Sequence, residues 1–176
     1  PASEPRGRER RTALGAEATI TIHHPDSQKA GRLIEHCISE IERLERIFSL
    51  YRPGSEIGRL NRAGRLDSPS PELVELLEAS RRMVLLSNGA FDPTVQPLWQ
   101  LYAAQADAGR RLPDRRALAA ALHLVGHGKA EFDRRRIRLA EPGMSVTLNG
   151  IAQGYITDRI GDLLRDAGLE SVLVEL

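Results

Sequence analysis

Cysteine is almost absent: Cys37 is the only one in 176 residues, which excludes an intrachain disulfide. It falls among Leu33, Ile34, Ile38 and Ile41, on the apolar stripe of a helix, and reads as core rather than nucleophile. No apolar run approaches the roughly 18 residues needed to span a bilayer. Charge of one sign is lacking too. With 28% charged residues and a net charge of +1, the chain has no general field for nucleic acid or an acidic surface. Its local basic runs, Arg6 to Arg11 and Arg134 to Arg136, read as solvated surface. There is no internal repeat, no G-x-G-x-x-G, and no P-loop with its Lys-Ser/Thr. His23 and His24 end a first strand, and His123 and His127 flank a Gly-containing turn, but no Cys or acid completes a metal set there.

What is present amounts to one domain, large enough to bury about 70% of its unfolded surface around a single core. Thr12 to Ile22 alternates small or apolar with polar residues and is expected as a strand, preceded by a polar, flexible segment over residues 1–11. Pro25-Asp26-Ser27 caps a long helix with apolar positions at spacings of three and four, ended by Pro53-Gly54. Ser55 and Glu56 start a short helix to about Ala63. Ser70-Pro71 opens another, with Leu73, Leu76, Leu77, Met83 and Val84 on its buried face and Gly89 closing it. Helices around Leu98 to Ala108 and Pro113 to Leu122 follow, then a hairpin from Lys129 to Leu139 turning near Asp133-Arg134. Strand Ser145 to Leu148, a helix from about Ala152 to Ala167 and a last strand from Ser171 complete an α+β order. The final strand stops without a turn or polar tail, which suggests a fragment or a partner segment elsewhere.

Two stretches carry chemistry. Ser145 to Asp158 runs from β-branched residues through small flexible ones into an apolar-periodic helix: a strand, a tight turn and a helix start. N–H groups at such a start, with the positive end of the helix dipole, favour a phosphate, and Gly150 and Gly154 allow close approach. An ordinary strand-to-helix connection would read the same way. The second stretch, Asn88 to Trp99, combines Gly89, two prolines and Asp92 beside Phe91, and is expected as a long ordered loop of the kind on which sites sit. The backbone of Asp92, followed by Pro93, is restricted toward extended conformations. Its carboxylate either orients a ribose, an adenine or a metal-bound water, or bonds its own backbone. Tyr51, where the first helix breaks, is either a helix-end core aromatic or a ring whose face can pack on a flat ligand.

Leu14-Gly15, F-S-x-Y over Phe48 to Tyr51, S-E-I over Ser55 to Ile57, Leu60-Asn61, G-A-F-D-P-T-V from Gly89, and N-G-I-A-Q-G-Y-x-x-D from Asn149 to Asp158 occur in one order from Leu14 to Leu176. In that order they resemble the ApbE family, the FAD:protein FMN transferases. The resemblance implies an ApbE-like, T-fold-related sheet with packed helices over residues 12–176. It also implies an FAD site built from Leu14, Tyr51, Ala90, Phe91, Asp92, Thr147 and Gln153, with the Gly150 carbonyl as a Mg2+ ligand. Further acidic and hydroxyl metal ligands are expected from a later region of the family. Leu14 stands where the family usually has Met, which keeps an apolar surface against the isoalloxazine ring. Thr147 and Gln153 stand where the commoner pattern has Asp and Lys, as if neutral hydrogen bonds had replaced an ion pair.

The implied activity is Mg2+-dependent transfer of FMN from FAD to a Ser or Thr hydroxyl of an acceptor protein, with release of AMP. Two other readings stay open: a module that holds FAD without transfer, and an FAD pyrophosphatase in which water replaces the acceptor. The resemblance also implies a periplasmic or exported location with a possible membrane anchor; a removed export signal upstream would fit the polar start.

Overall fold

The computed structural model describes residues 7–13, 16–22, 24, 26–109, 112–169 and 172–175. Strand β1 (Gly7–Ala13) pairs antiparallel with β2 (Ala16–Ile22), which pairs in turn with β6 (Val172–Glu175). The expected single strand over Thr12 to Ile22 is therefore a hairpin, and residues 7–11, expected in a flexible segment, form most of β1. Ile20 and Ile22 share one face by the two-residue strand period and are buried.

Helix α1 (Ser27–Phe48) begins where Asp26 Oδ1 accepts from the Gln28 and Lys29 N–H groups at 2.9 and 3.0 Å. Those bonds, the Lys29 one foremost, hold the Asp26 carboxyl below the usual carboxylate range. Its buried stripe of Ala30, Ile34, Cys37, Ile41, Leu44 and Phe48 keeps the three-and-four spacing of one helix face. Cys37 is fully buried, and burial pushes its thiol up to about 11. It is a core residue, as its place on the stripe implied.

α1 stops at Phe48, ahead of Pro53-Gly54. Two serines make the turn: Ser49 Oγ accepts from the Tyr51 and Arg52 N–H groups, and Ser55 Oγ donates to the Ser49 carbonyl at 2.7 Å. Ser55 then caps α2 (Glu56–Ala63), and Gly64 ends it in a left-handed conformation. A short strand β3 (Arg65–Asp67) follows; three residues are too few for periodicity to reveal. It pairs with β5 (Arg136–Leu139), which also pairs with β4 (Ala130–Phe132), so a second sheet has the order β3-β5-β4. The β4-β5 hairpin turns where predicted, with Asp133 Oδ1 accepting from the Arg135 and Arg136 N–H groups.

Between the two parts of that sheet come α3 (Pro71–Leu86), a 3-10 turn at Pro93–Val95, α4 (Gln96–Asp107) and α5 (Arg115–His123). Ser70 caps α3 as expected, but Met83 is 44% exposed rather than on the buried face. The long loop expected after Gly89 is short, because Pro93 starts the 3-10 turn that runs straight into α4. Ser145 to Leu148, expected as a strand, joins no sheet ladder among the described residues, and Leu148 has φ −111° and ψ 7°. Its backbone is held instead by the Asn61 side-chain amide, which donates to the Val146 carbonyl at 2.8 Å and accepts from the Val146 N–H at 2.7 Å. Helix α6 (Asn149–Asp166) therefore starts three residues before the expected Ala152. One apolar cluster joins Ile20 and Ile22 of the first sheet to Leu66 and Ile137 of the second through α1, α3 and α6.

Candidate functional site

The turn after α1, the segment between α3 and α4, and the start of α6 converge on a cleft of about 560 Å³. Tyr51, Ala90, Phe91, Asp92, Thr147 and Gly150 all line it, although the sequence scatters them over a hundred positions. The volume lies within the range of small-molecule sites.

The loop on one wall is built by α3. Asn88 and Gly89 take left-handed backbone, with φ of 50° and 82°, and the Gly89 N–H returns to the Val84 carbonyl at 2.8 Å. Ser87 Oγ then accepts from the Phe91 N–H at 3.0 Å. Asp92 caps the 3-10 turn: its Oδ1 accepts from the Thr94 N–H at 2.8 Å and the Thr94 hydroxyl at 2.6 Å. Its Oδ2 accepts from the His127 N–H at 3.0 Å, and Thr94 Oγ1 accepts from the Gly126 N–H at 2.7 Å. Asp92 and Thr94 thus bracket the loop to the turn before β4. The carboxylate thus bonds backbone, as one of its two readings had it, and in doing so holds the cleft wall.

The facing wall is the entry to α6. The Thr147 N–H donates to the Pro93 carbonyl at 2.8 Å, which fixes the two walls to each other. Leu148 occupies the cap position without a capping side chain. Thr147 Oγ1 accepts from the Asn149 N–H at 3.3 Å, and the first turn of the helix, Asn149 and Gly150, opens on the cleft. With the Asn149 N–H taken by Thr147 and the Ile151 and Ala152 N–H groups by the Leu148 carbonyl, this turn presents the Gly150 N–H and the positive dipole end to whatever occupies that space. A Cβ at Gly150 would stand a tight 3.2 Å from Phe91 Cε2, so the aromatic ring sits close against bare backbone.

Tyr51 is 61% exposed at the rim, so its ring is available to a ligand rather than part of the core. Leu14 lies outside the described residues. Gln153 is on α6 but not on the cleft lining, and no hydrogen bond joins it to Thr147, whose hydroxyl oxygen is used at the helix start. Trp99, 57% exposed on α4, lines the cleft beside Gln96 and Gln100 and was not singled out as a site residue. The signal available for it was its spacing from Gln96, one helical turn, in the stretch that also carries Asp92.

Among the described residues no group of three or more His, Cys, Asp or Glu is placed to hold a metal. His123 Nε2 contacts Glu141 Oε2 at 2.9 Å, while the His127 backbone serves Asp92. Gly150 lines the cleft, but its carbonyl belongs to a helix, where the N–H four residues on competes for it.

Residues 14–176 match the model of the ApbE family. The FAD:protein FMN transferase of Klebsiella pneumoniae (strain 342) is 27% identical over 167 residues, which are 93% of this chain and 51% of that protein. The FAD:protein FMN transferase of Treponema pallidum (strain Nichols) is 30% identical over 157 residues, 81% of this chain and 42% of that protein. The chain thus spans about half the length of the curated relatives it matches. Among solved structures, the Pseudomonas stutzeri flavinyl transferase ApbE superposes with a TM-score of 0.83 at 26% identity, covering 97% of this chain and 55% of that one. The Thermotoga maritima ApbE protein does so with a TM-score of 0.78 at 26% identity, covering 90% and 52%.

Proposed function

The chain belongs to the ApbE family, and from that premise we propose that it transfers FMN from FAD, with Mg2+, to a Ser or Thr hydroxyl of an acceptor protein and releases AMP. The observation that carries the reading is the convergence of Tyr51, the Ala90 to Asp92 loop and the uncapped start of α6 on one cleft. A dinucleotide needs both kinds of wall: apolar or aromatic surface for its rings and N–H donors for its pyrophosphate. Tyr51, Phe91 and Trp99 supply the first, and Gly150 at the start of α6 the second.

Within this reading the residues bind and orient. The Asp92–Thr94 bracket and the Thr147–Pro93 bond keep the two walls at fixed separation, so the pyrophosphate is held in line for attack. Mg2+, when bound, neutralises charge developing on the pyrophosphate. The described residues on this cleft, Asp92 and Gly150 among them, do not compose a metal site by themselves. The reading includes a periplasmic or exported location, which cell fractionation tests.

Incubation of the protein with FAD, Mg2+ and a Ser- or Thr-bearing acceptor peptide separates the possibilities. A covalent mass gain equal to FMN on the peptide, with AMP released, supports transfer. Free FMN with AMP and an unmodified peptide refutes it in favour of pyrophosphatase activity, and saturable binding of unchanged FAD refutes it in favour of a holding module.

A further inference from the structure

A second groove, of about 570 Å³, lies where the end of α2 and β3 meet β5 and the turn after it. Arg62, Arg65, Arg136 and Arg138 line it, brought together from segments some seventy positions apart. The chain as a whole carries a net charge of only +1, so this is a local concentration of one sign. Arg65 stands directly opposite Arg138 across the β3-β5 pair, an arrangement of like charges that costs stability. Among the described residues, only Arg65 of the four has an ion-pair partner, Asp67 at 2.8 Å. The carboxylate on the lining, Glu141, is already engaged by Lys129 at 2.7 Å and by His123.

From this juxtaposition we propose that the groove binds an acidic segment of a partner protein, its carboxylates paired with Arg62, Arg65, Arg136 and Arg138. Guanidinium forks match carboxylates in paired geometry. One exposed pair contributes little in water, so a small anion gains little here, whereas a chain segment that meets several arginines at once gains from all of them. The lining has no aromatic residue on which a nucleic-acid base could stack. Its large apolar side chains, Leu139 and Met144, are buried and unavailable for insertion into a membrane. An acidic peptide remains as the ligand that asks only for what the groove has. The inference is independent of the flavin reading.

The test is fluorescence anisotropy of a short fluorescein-labelled peptide of alternating Glu and Ser, titrated with the protein at low salt. The variants are Arg62→Glu with Arg138→Glu, and Arg115→Glu with Arg116→Glu on α5 as a control of equal charge change. The groove variant loses about tenfold or more in affinity, the control stays within about twofold, and wild-type affinity falls as salt rises. If the reversed pair fails to fold by circular dichroism, the neutral pair Arg62→Gln with Arg138→Gln is read in its place. Equal losses in groove and control variants, or no saturable binding, overturn the proposal. So does tighter binding of a single-stranded oligonucleotide or of phosphatidylserine vesicles than of the peptide.

Discussion

Replacing Asp92 with alanine removes the acceptor for three donors at once: the Thr94 N–H, the Thr94 hydroxyl and the His127 N–H. Thr94 is fully buried, so its N–H cannot turn to solvent for a substitute. A lost cap costs about 0.5–2 kcal/mol, and each hydrogen bond to a charged acceptor about 1.5–3. The three share one carboxylate and do not add, so a total near 3 kcal/mol is the working figure, or a fall in Tm of roughly 6–12 °C for a chain of this size. Asp92→Asn keeps an oxygen for the Thr94 N–H but turns an amide toward the His127 N–H, and falls about half as far. Thr94→Val strips the Gly126 N–H of its partner without touching the cleft lining. It lowers Tm by a smaller amount and, through the loosened loop, weakens FAD binding as well. Melting curves and flavin fluorescence titrations on these variants read both effects; the Asp92 and Thr94 losses are coupled when combined. An Asp92→Ala protein that melts within about 2 °C of wild type would refute the bracket. One that melts lower yet binds FAD unchanged would remove the loop from the site.

Further outcomes follow from single contacts. Gly150→Ala gains up to about 1 kcal/mol of helix propensity and spends a similar amount moving Phe91 out of a 3.2 Å contact. Tm therefore stays nearly constant while FAD affinity drops, and a clear rise in Tm with unchanged affinity would contradict the close packing. Among the described residues Ser145 Oγ is buried without a hydrogen-bond partner, so Ser145→Ala raises stability by about 1 kcal/mol, or roughly 2–4 °C; a lowered Tm would mean the hydroxyl has a partner. Cys37 titrates higher folded, at about 11, than its ordinary 9.0, so the native state holds its proton longer. Stability then declines as pH rises from about 9 to about 11, and Cys37→Ala or Cys37→Val flattens that decline. Rapid alkylation of the folded protein by iodoacetamide at neutral pH would show that the thiol is not buried.

Local signals were legible in the sequence wherever cause and effect lie within one turn. Asp26, Ser55 and Ser70 each cap the helix they were expected to cap, and the stripe of α1 is the one its spacing described. What the sequence hid are effects whose partners are distant. Asn61 was visible as part of a motif, but its work, holding Val146 85 positions away, depends on the fold. The segment Ser145 to Leu148 has strand composition, yet a side-chain amide takes the place of a neighbouring strand. β3 pairs only because β5 arrives beside it. Asp92 was identified as the acid of interest, while its tie to His127, 35 positions on, turns it from a free ligand group into a bracket for the wall. The motif residues that the resemblance assigned to flavin mostly meet at one cleft; Gln153 does not line it, because α6 begins at Asn149 and carries that side chain a turn further along.

Hydrogen–deuterium exchange of the protein with and without saturating FAD tests the flavin cleft most directly, because it reads every segment at once. The account predicts new protection confined to the turn at 49–52, the loop and helix start at 88–100, and the α6 entry at 147–153, with the β4-β5 hairpin at 130–139 unchanged. Protection that spares both 88–95 and 147–153, or that appears only on the hairpin, would contradict it.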